Sequence, residues 1–230
     1  FEVTWGGERS TDDQEGEVTA HSEHRPSKAD IEAILPQFQG VIQQAPPAFS
    51  AIRIDGERAY DLARAGEKPV MAERPVTIEK LVLTDCPDVA RAVFEVTCGK
   101  GTYVRSLARD MGRKLGCFGH VSALRRVSVG PFAEADMISL ERLEEMSHKP
   151  LGDNAKNGAL RPLTTALDGI PALAISDAEA QRLKQGQPIL LRGANAPIAF
   201  DAVLVTWGSK PLGICSIEQG SLKPKRLFNL

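Results

Sequence analysis

The stretch CGKGTYVRSLARDMG, Cys98 to Gly112, decides how the rest of the chain is read. Two glycines flank Lys100; Tyr103 and a series of arginines follow. At about 100° per residue, Val104, Leu107, Ala108, Met111 and Leu115 share one helical face, and Arg105, Arg109 and Arg113 share another. The apolar face can seat a helix on a sheet. The other is an arginine stripe with Tyr103 at its N-terminal end. A solvated basic face is the simple reading of such a stripe. Here a second basic element follows closely, His120 and then Leu124-Arg125-Arg126. The planar guanidinium fork suits bidentate bonds to phosphate.

CGKGT is not a nucleotide-binding P-loop. That motif needs G-x-x-x-x-G-K-[ST], whereas position 94 is Phe and Gly101 follows Lys100. Gly99 and Gly101 instead predict a tight strand-to-helix turn that brings backbone close to a ligand or another segment.

Charge points the same way. The 230 residues carry a formal net charge of −2, which alone does not suggest nucleic acid. Between Lys100 and Arg126, however, seven Lys and Arg stand against one acid, Asp110, a local balance of +6; the remainder is at −8. Concentrated positive charge on an acidic background marks a polyanion-binding face.

Hydrophobic content of 42% and charged content of 25% describe a globular chain that can build one large domain and a small one. No apolar run reaches the 18 residues of a membrane span, and FEVTWGGERSTDDQEG lacks the basic start and apolar centre of a signal peptide. Cys86, Cys98, Cys117 and Cys215 show no metal or disulfide spacing, so the expectation is a reduced, cytoplasmic protein. The four histidines have no metal spacing, and Ser50 lies outside a G-x-S-x-G elbow. The adjacent Asp12 and Asp13 read as a turn and cap, or as a cation or acid/base pair.

The element pattern is α+β with mostly antiparallel pairing. FEVTW and GEVTA read as strands joined by a polar loop, and Ser27 can cap a helix through KADIEAILPQF. GVIQQAPPAFSAIRI has β character broken by Pro46-Pro47, Asp55-Gly56 is a turn, and ERAYDLARAG is a short helix stopped by Gly66. PVTIEKLVLTDC and VARAVFEVTC alternate as strands, and HVSALRRVSVGPF reads as another. ISLERLEEM is a helix, and SHKPLGDNAKNGALRP is a linker. PALAI, a helix from Ser176 to Gly186, and strands at QPILL, FDAVLVTW and PLGICSIEQ complete a small β-rich domain.

Together, GKGTYVRSLARDMG, GHVSALRRVSVGPF, APPAFSAIRIDGERAYDLARAGE, the GGERSTDDQEG loop and the tail GSLKPKRLFNL resemble the bacterial tRNA pseudouridine synthase B (TruB) family, in the family's order and over nearly the whole chain. The resemblance implies a pseudouridine-synthase fold: a mixed, mostly antiparallel sheet with flanking helices, incomplete here. It also implies a small β-rich PUA-like C-terminal domain. The division expected is 1–160 for the catalytic portion and 161–230 for the PUA-like RNA-binding domain.

The activity implied is isomerisation of the T-arm uridine (position 55) of tRNA, without cofactor or metal, by a monomeric enzyme that does not engage membranes. An aspartate attacks the nucleotide after the base has left the stack. By resemblance, Arg105 would pair with that aspartate, Tyr103 would lie beside the flipped nucleotide, and Leu124 would pack on the target base. Lys100, Arg109, Arg113, His120, Arg125 and Arg126 would lie near RNA. The family's nucleophile stands in G-H-x-G-T-L-D-P, and none of the thirteen aspartates sits in such a motif; nor is the tyrosine of its K-x-Y present. The expectation is therefore a chain truncated at its N-terminus, inactive by itself, with Arg105 lacking its carboxylate partner. The alternative is a non-catalytic RNA-binding module.

Overall fold

A computed structural model describes residues 1–67, 69–147, 159–193 and 196–229. The chain divides into two compact units, Phe1–Arg125 and Arg126–Leu230. Most of the expected linker, 147–162, lies outside the described residues.

The first unit runs β1 (Glu2–Trp5), β2 (Gly7–Arg9), β3 (Val18–His21), α1 (Lys28–Ile34), β4 (Gly40–Gln44), β5 (Arg53–Ile54), β6 (Glu57–Arg58), α2 (Ala59–Arg64), β7 (Arg74–Asp88), β8 (Arg91–Cys98), α3 (Val104–Lys114) and β9 (Gly119–Ala123). Its main sheet has the order β4-β7-β8-β1-β9 and is antiparallel throughout. Val3 and Trp5 of β1, Ile78 and Leu81 of β7, and Ala92 and Phe94 of β8 are buried together. Leu107, Ala108 and Met111 of α3 close on them, as does Ile31 of α1. The apolar face read from the sequence is thus the face that packs.

Local chemistry explains the element ends. Ser27 caps α1 in a reciprocal box with Asp30. Asp55 and Gly56, both at positive φ (51° and 96°), make the two-residue turn between β5 and β6. Gly101, at φ +85°, turns the chain from β8 into α3, and the Gly99 N–H bonds the Thr77 carbonyl at 2.8 Å.

Two expectations are corrected. GGERSTDDQE, read as a polar loop between FEVTW and GEVTA, contains a strand of its own. The chain breaks at Gly6 (φ +102°), and Val18–His21 pairs with Gly7–Arg9 while β1 runs between β8 and β9. That φ lies in the left-handed region that favours glycine, and the Arg25 guanidinium occupies the space a Cβ would take. HVSALRRVSVGPF is also not one strand. β9 stops at Ala123, and the rest forms a small hairpin, β10 (Ser128–Val129) and β11 (Phe132–Ala133), turned at Gly130.

The second unit continues with α4 (Leu140–Ser147), α5 (Leu163–Ala166), β12 (Ala172–Ile175), α6 (Asp177–Lys184), β13 (Ile189–Leu190), β14 (Phe200–Trp207), β15 (Lys210–Glu218) and β16 (Ser221–Leu227). Its sheet has the order β12-β14-β15-β16-β13, with only β12 and β14 parallel. Ser176 caps α6 in a box with Glu179, and Ala180 and Leu183 of that helix pack on Val203, Val205, Cys215, Ile217 and Leu222.

Candidate active site

Helix α3 organises the first unit's polar centre. Leu107, Ala108 and Met111 fix the helix by burial, which aims its arginine stripe at two segments, residues 8–13 and 45–49. Arg105 is the most connected to both. Its Nη1 donates to the Thr11 carbonyl at 2.9 Å and to Asp13 Oδ2 at 3.1 Å; its Nη2 donates to the Phe49 carbonyl at 2.9 Å. About a quarter of each side chain in the Arg105–Asp13 pair is exposed.

This corrects the expectation that Arg105 stands without a carboxylate. Asp13 supplies one, 92 residues away in sequence. Its other oxygen, Oδ1, accepts from Thr11 Oγ1 at 2.5 Å and from the Glu15 N–H at 3.1 Å. The pair Asp12-Asp13, left open between a turn and a chemical role, is a turn whose two carboxylates both bind arginine. The acidic composition of ERSTDDQE opposite a basic helix was the available signal; the sequence does not say that the two meet.

Arg109 is also placed differently from an open phosphate stripe. It is 7% exposed, and its head group is fully engaged: Nε with Asp110 Oδ1 at 2.8 Å, Nη1 with Asp12 Oδ2 at 2.9 Å, Nη2 with the Ala45 carbonyl at 2.8 Å. A buried guanidinium needs such partners, and they turn it inward. Arg113 makes a bidentate pair with Glu8, at 2.6 and 2.7 Å, on the exposed end of the helix. That partner holds its pKa above the ordinary arginine value. His120 is buried rather than presented to solvent; its Nδ1 lies 2.8 Å from the Gly7 carbonyl, and burial lowers its pKa.

The remaining expected site residues keep an open aspect. Lys100, Leu124, Arg125 and Arg126 are exposed, with Arg126 opening the second unit. Tyr103 is half-buried at the start of α3, where its N–H donates to Gln44 Oε1 at 2.8 Å. Ser106 Oγ donates to the Ala45 carbonyl, tightening the 45–49 segment against the helix. Near these contacts in sequence, the buried Gln44 Nε2, Ser50 Oγ and Thr102 Oγ1 have no protein partner among the described residues.

The result is one guanidinium, Arg105, held by three partners and still partly accessible. A cation so fixed can orient a carboxylate or an anionic group without reorganising. An antiparallel sheet that carries this site and a separate β-rich unit after it make up a fold shared with solved structures. The chain aligns with a Cbf5–Nop10–Gar1 complex at TM-score 0.67 and 18% identity, covering 98% of this chain and 65% of the other. It aligns with an H/ACA ribonucleoprotein bound to a substrate RNA containing 2′-deoxyuridine at TM-score 0.64 and 16% identity, covering 100% and 65%.

Sequence comparison narrows the class. Residues 1–104 match the TruB family pseudouridylate synthase N-terminal domain, 105–168 the tRNA pseudouridylate synthase B C-terminal domain, and 171–228 the pseudouridine synthase II TruB C-terminal domain. The chain is 56% identical to tRNA pseudouridine synthase B of Bradyrhizobium diazoefficiens, over 100% of this chain and 67% of that protein. The enzyme of the same name from Rhodopseudomonas palustris is 53% identical over 100% and 63%, and that from Brucella anthropi 50% identical over 99% and 75%. This chain belongs to the TruB family of pseudouridine synthases. It spans between 63% and 75% of the length of these relatives.

Proposed function

We propose that this chain serves the isomerisation of uridine to pseudouridine in the T-arm of tRNA, without cofactor. The observation that carries this reading is the fixed, partly accessible Arg105, in a chain of this family. Arg105 orients the attacking carboxylate, and Tyr103 lies against the flipped nucleotide. Leu124 packs on the target base, and Lys100, Arg125 and Arg126 meet the backbone phosphates. Asp13 is not assigned as the nucleophile: it stands outside the family's nucleophile motif, and Thr11, Glu15 and Arg105 fix its carboxylate within the 11–15 turn. The attacking aspartate belongs to the family's G-H-x-G-T-L-D-P motif, which these 230 residues do not contain. Turnover is therefore expected of protein that carries this motif, and RNA binding without turnover of these residues alone. Within the second unit, residues 161–230 are the PUA-like RNA-binding part.

The test is pseudouridine formation in a T-arm stem-loop, with protein of verified mass. Product from the 230 residues alone sinks the assignment of the nucleophile. Absence of both product and binding, from protein that includes the motif, sinks the function.

A further inference from the structure

Three arginines of α3 close on one short segment: Arg113 on Glu8, Arg109 on Asp12 and Arg105 on Asp13. The middle pair differs from the others. Its side chains are 9% and 7% exposed, against 26% and 25% for Arg105–Asp13 and 53% and 14% for Arg113–Glu8. Asp12 also holds the left-handed φ of +61°, with its carbonyl accepting from the Val121 N–H at 3.1 Å. Asp13 follows immediately, bridged to the same Val121, and aims its carboxylate at Arg105. The direction of Asp13 is therefore set by how Asp12 is anchored.

We propose that Asp12 and Arg109 are a positioning pair. Arg109 holds the buried Asp12 carboxylate in place and so fixes the 11–15 turn in which Asp13 meets Arg105. The proposal rests on the reading of Arg105 given above. Through its bond to the Ala45 carbonyl, Arg109 also ties this turn to the 45–49 segment, which Arg105 grips at Phe49.

The electrostatics give the pair a signed pH behaviour. Asp12 faces Arg109, Arg113 and Asp110 of α3 and Glu8 of β2, while His120 of β9 lies toward the neighbouring Asp13. Burial pushes the Asp12 carboxyl up to about 6, Arg109 opposing. An opened turn would return Asp12 to water and to an ordinary carboxylate value. Acid therefore favours the closed turn, and rising pH favours opening. Above neutrality the Arg109 charge is what keeps an ionised Asp12 inside.

The experiment compares Arg109→Met, Asp12→Asn and the double variant in the full-length protein. Amide exchange is read at Glu15, whose N–H is bonded to Asp13, and at Val121. In Arg109→Met, Glu15 protection at pH 8 is expected to fall by about tenfold or more, and to return to within about threefold of wild type at pH 5. Adding Asp12→Asn should restore protection and remove its pH dependence. Turnover should follow the same profile, falling about tenfold at pH 8 with the Kd for the stem-loop within about threefold. Unchanged Glu15 protection in Arg109→Met overturns the proposal. So does a loss equal at both pH values that Asp12→Asn does not rescue, since that marks a merely structural arginine. If wild-type protein forms no pseudouridine, the functional reading falls while the exchange data still decide the anchoring.

Discussion

At the scale of single residues, the site is built from charges that satisfy one another before any substrate arrives. In protein competent for turnover, Arg105→Ala should lower kcat by about a hundredfold while the Kd for the stem-loop changes little. The role proposed for the residue is to orient a carboxylate in the transition state. Equal losses in turnover and affinity would make Arg105 a simple phosphate contact. Asp12 gives a second prediction. Its folded carboxyl titrates at about 6, above the ordinary value of 3.8, so the folded chain binds this proton more tightly than the unfolded chain does. Its contribution is present below pH 3.8 and is lost as pH rises through 6, with a slope of at most about 1.4 kcal/mol per pH unit. Denaturant unfolding across pH 4 to 7 should therefore show Asp12→Asn gaining on wild type as pH rises, and parallel curves would contradict the assignment. The residue scale is also where sequence reading was weakest. Arg105, Arg109 and Arg113 were legible as a stripe, but Glu8, Asp12 and Asp13 lie about a hundred residues away, and nothing in local spacing pairs them.

At the scale of elements, α3 and its contact with β9 carry the site. The helix ends at Gly116, at φ +68°, and returns at once into β9. The close approach is made at Gly112, where a Cβ would lie 2.4 Å from the Gly119 nitrogen and 2.5 Å from the Phe118 carbonyl carbon. Both neighbours are backbone and cannot rotate away. Gly112→Ala should thus destabilise the first unit by about 2 kcal/mol or more, read as a lowered midpoint in urea without loss of the second unit's fold. A neutral result would mean that α3 can shift on the sheet, and with it the arginines. Helix α3 itself was legible because its apolar period, its glycine turn and its basic face agree. The division of HVSALRRVSVGPF was not, because a β-rich run shows no break until pairing partners are known.

At the scale of the whole molecule, the chain has a slight net negative charge and a basic segment, much of which is already neutralised internally. Arg109 and Arg113 spend their charge on Asp12, Asp110 and Glu8, so less positive charge from Lys100 to Arg126 is available to a polyanion than composition suggests. RNA affinity should then show a modest salt slope. Arg125→Ala should weaken binding evenly across stem-loop sequences and reduce that slope by about 1. An unchanged slope would return Arg125 to the role of a solvated surface residue.

The sequence by itself determined the family, the α+β class, the helix at 104–114 with its two faces, and the capped starts at Ser27 and Ser176. These follow from short-range rules: hydrophobic period, caps and turn residues act within a few positions, and family motifs are strings. Only the tertiary structure decided that β1 lies inside its sheet, that Asp13 meets Arg105, and that Arg109 turns inward to Asp12 rather than out to phosphate. Those outcomes depend on which distant segments burial brings together. A buried guanidinium takes whatever acceptors the fold places around it, and sequence spacing does not carry that information.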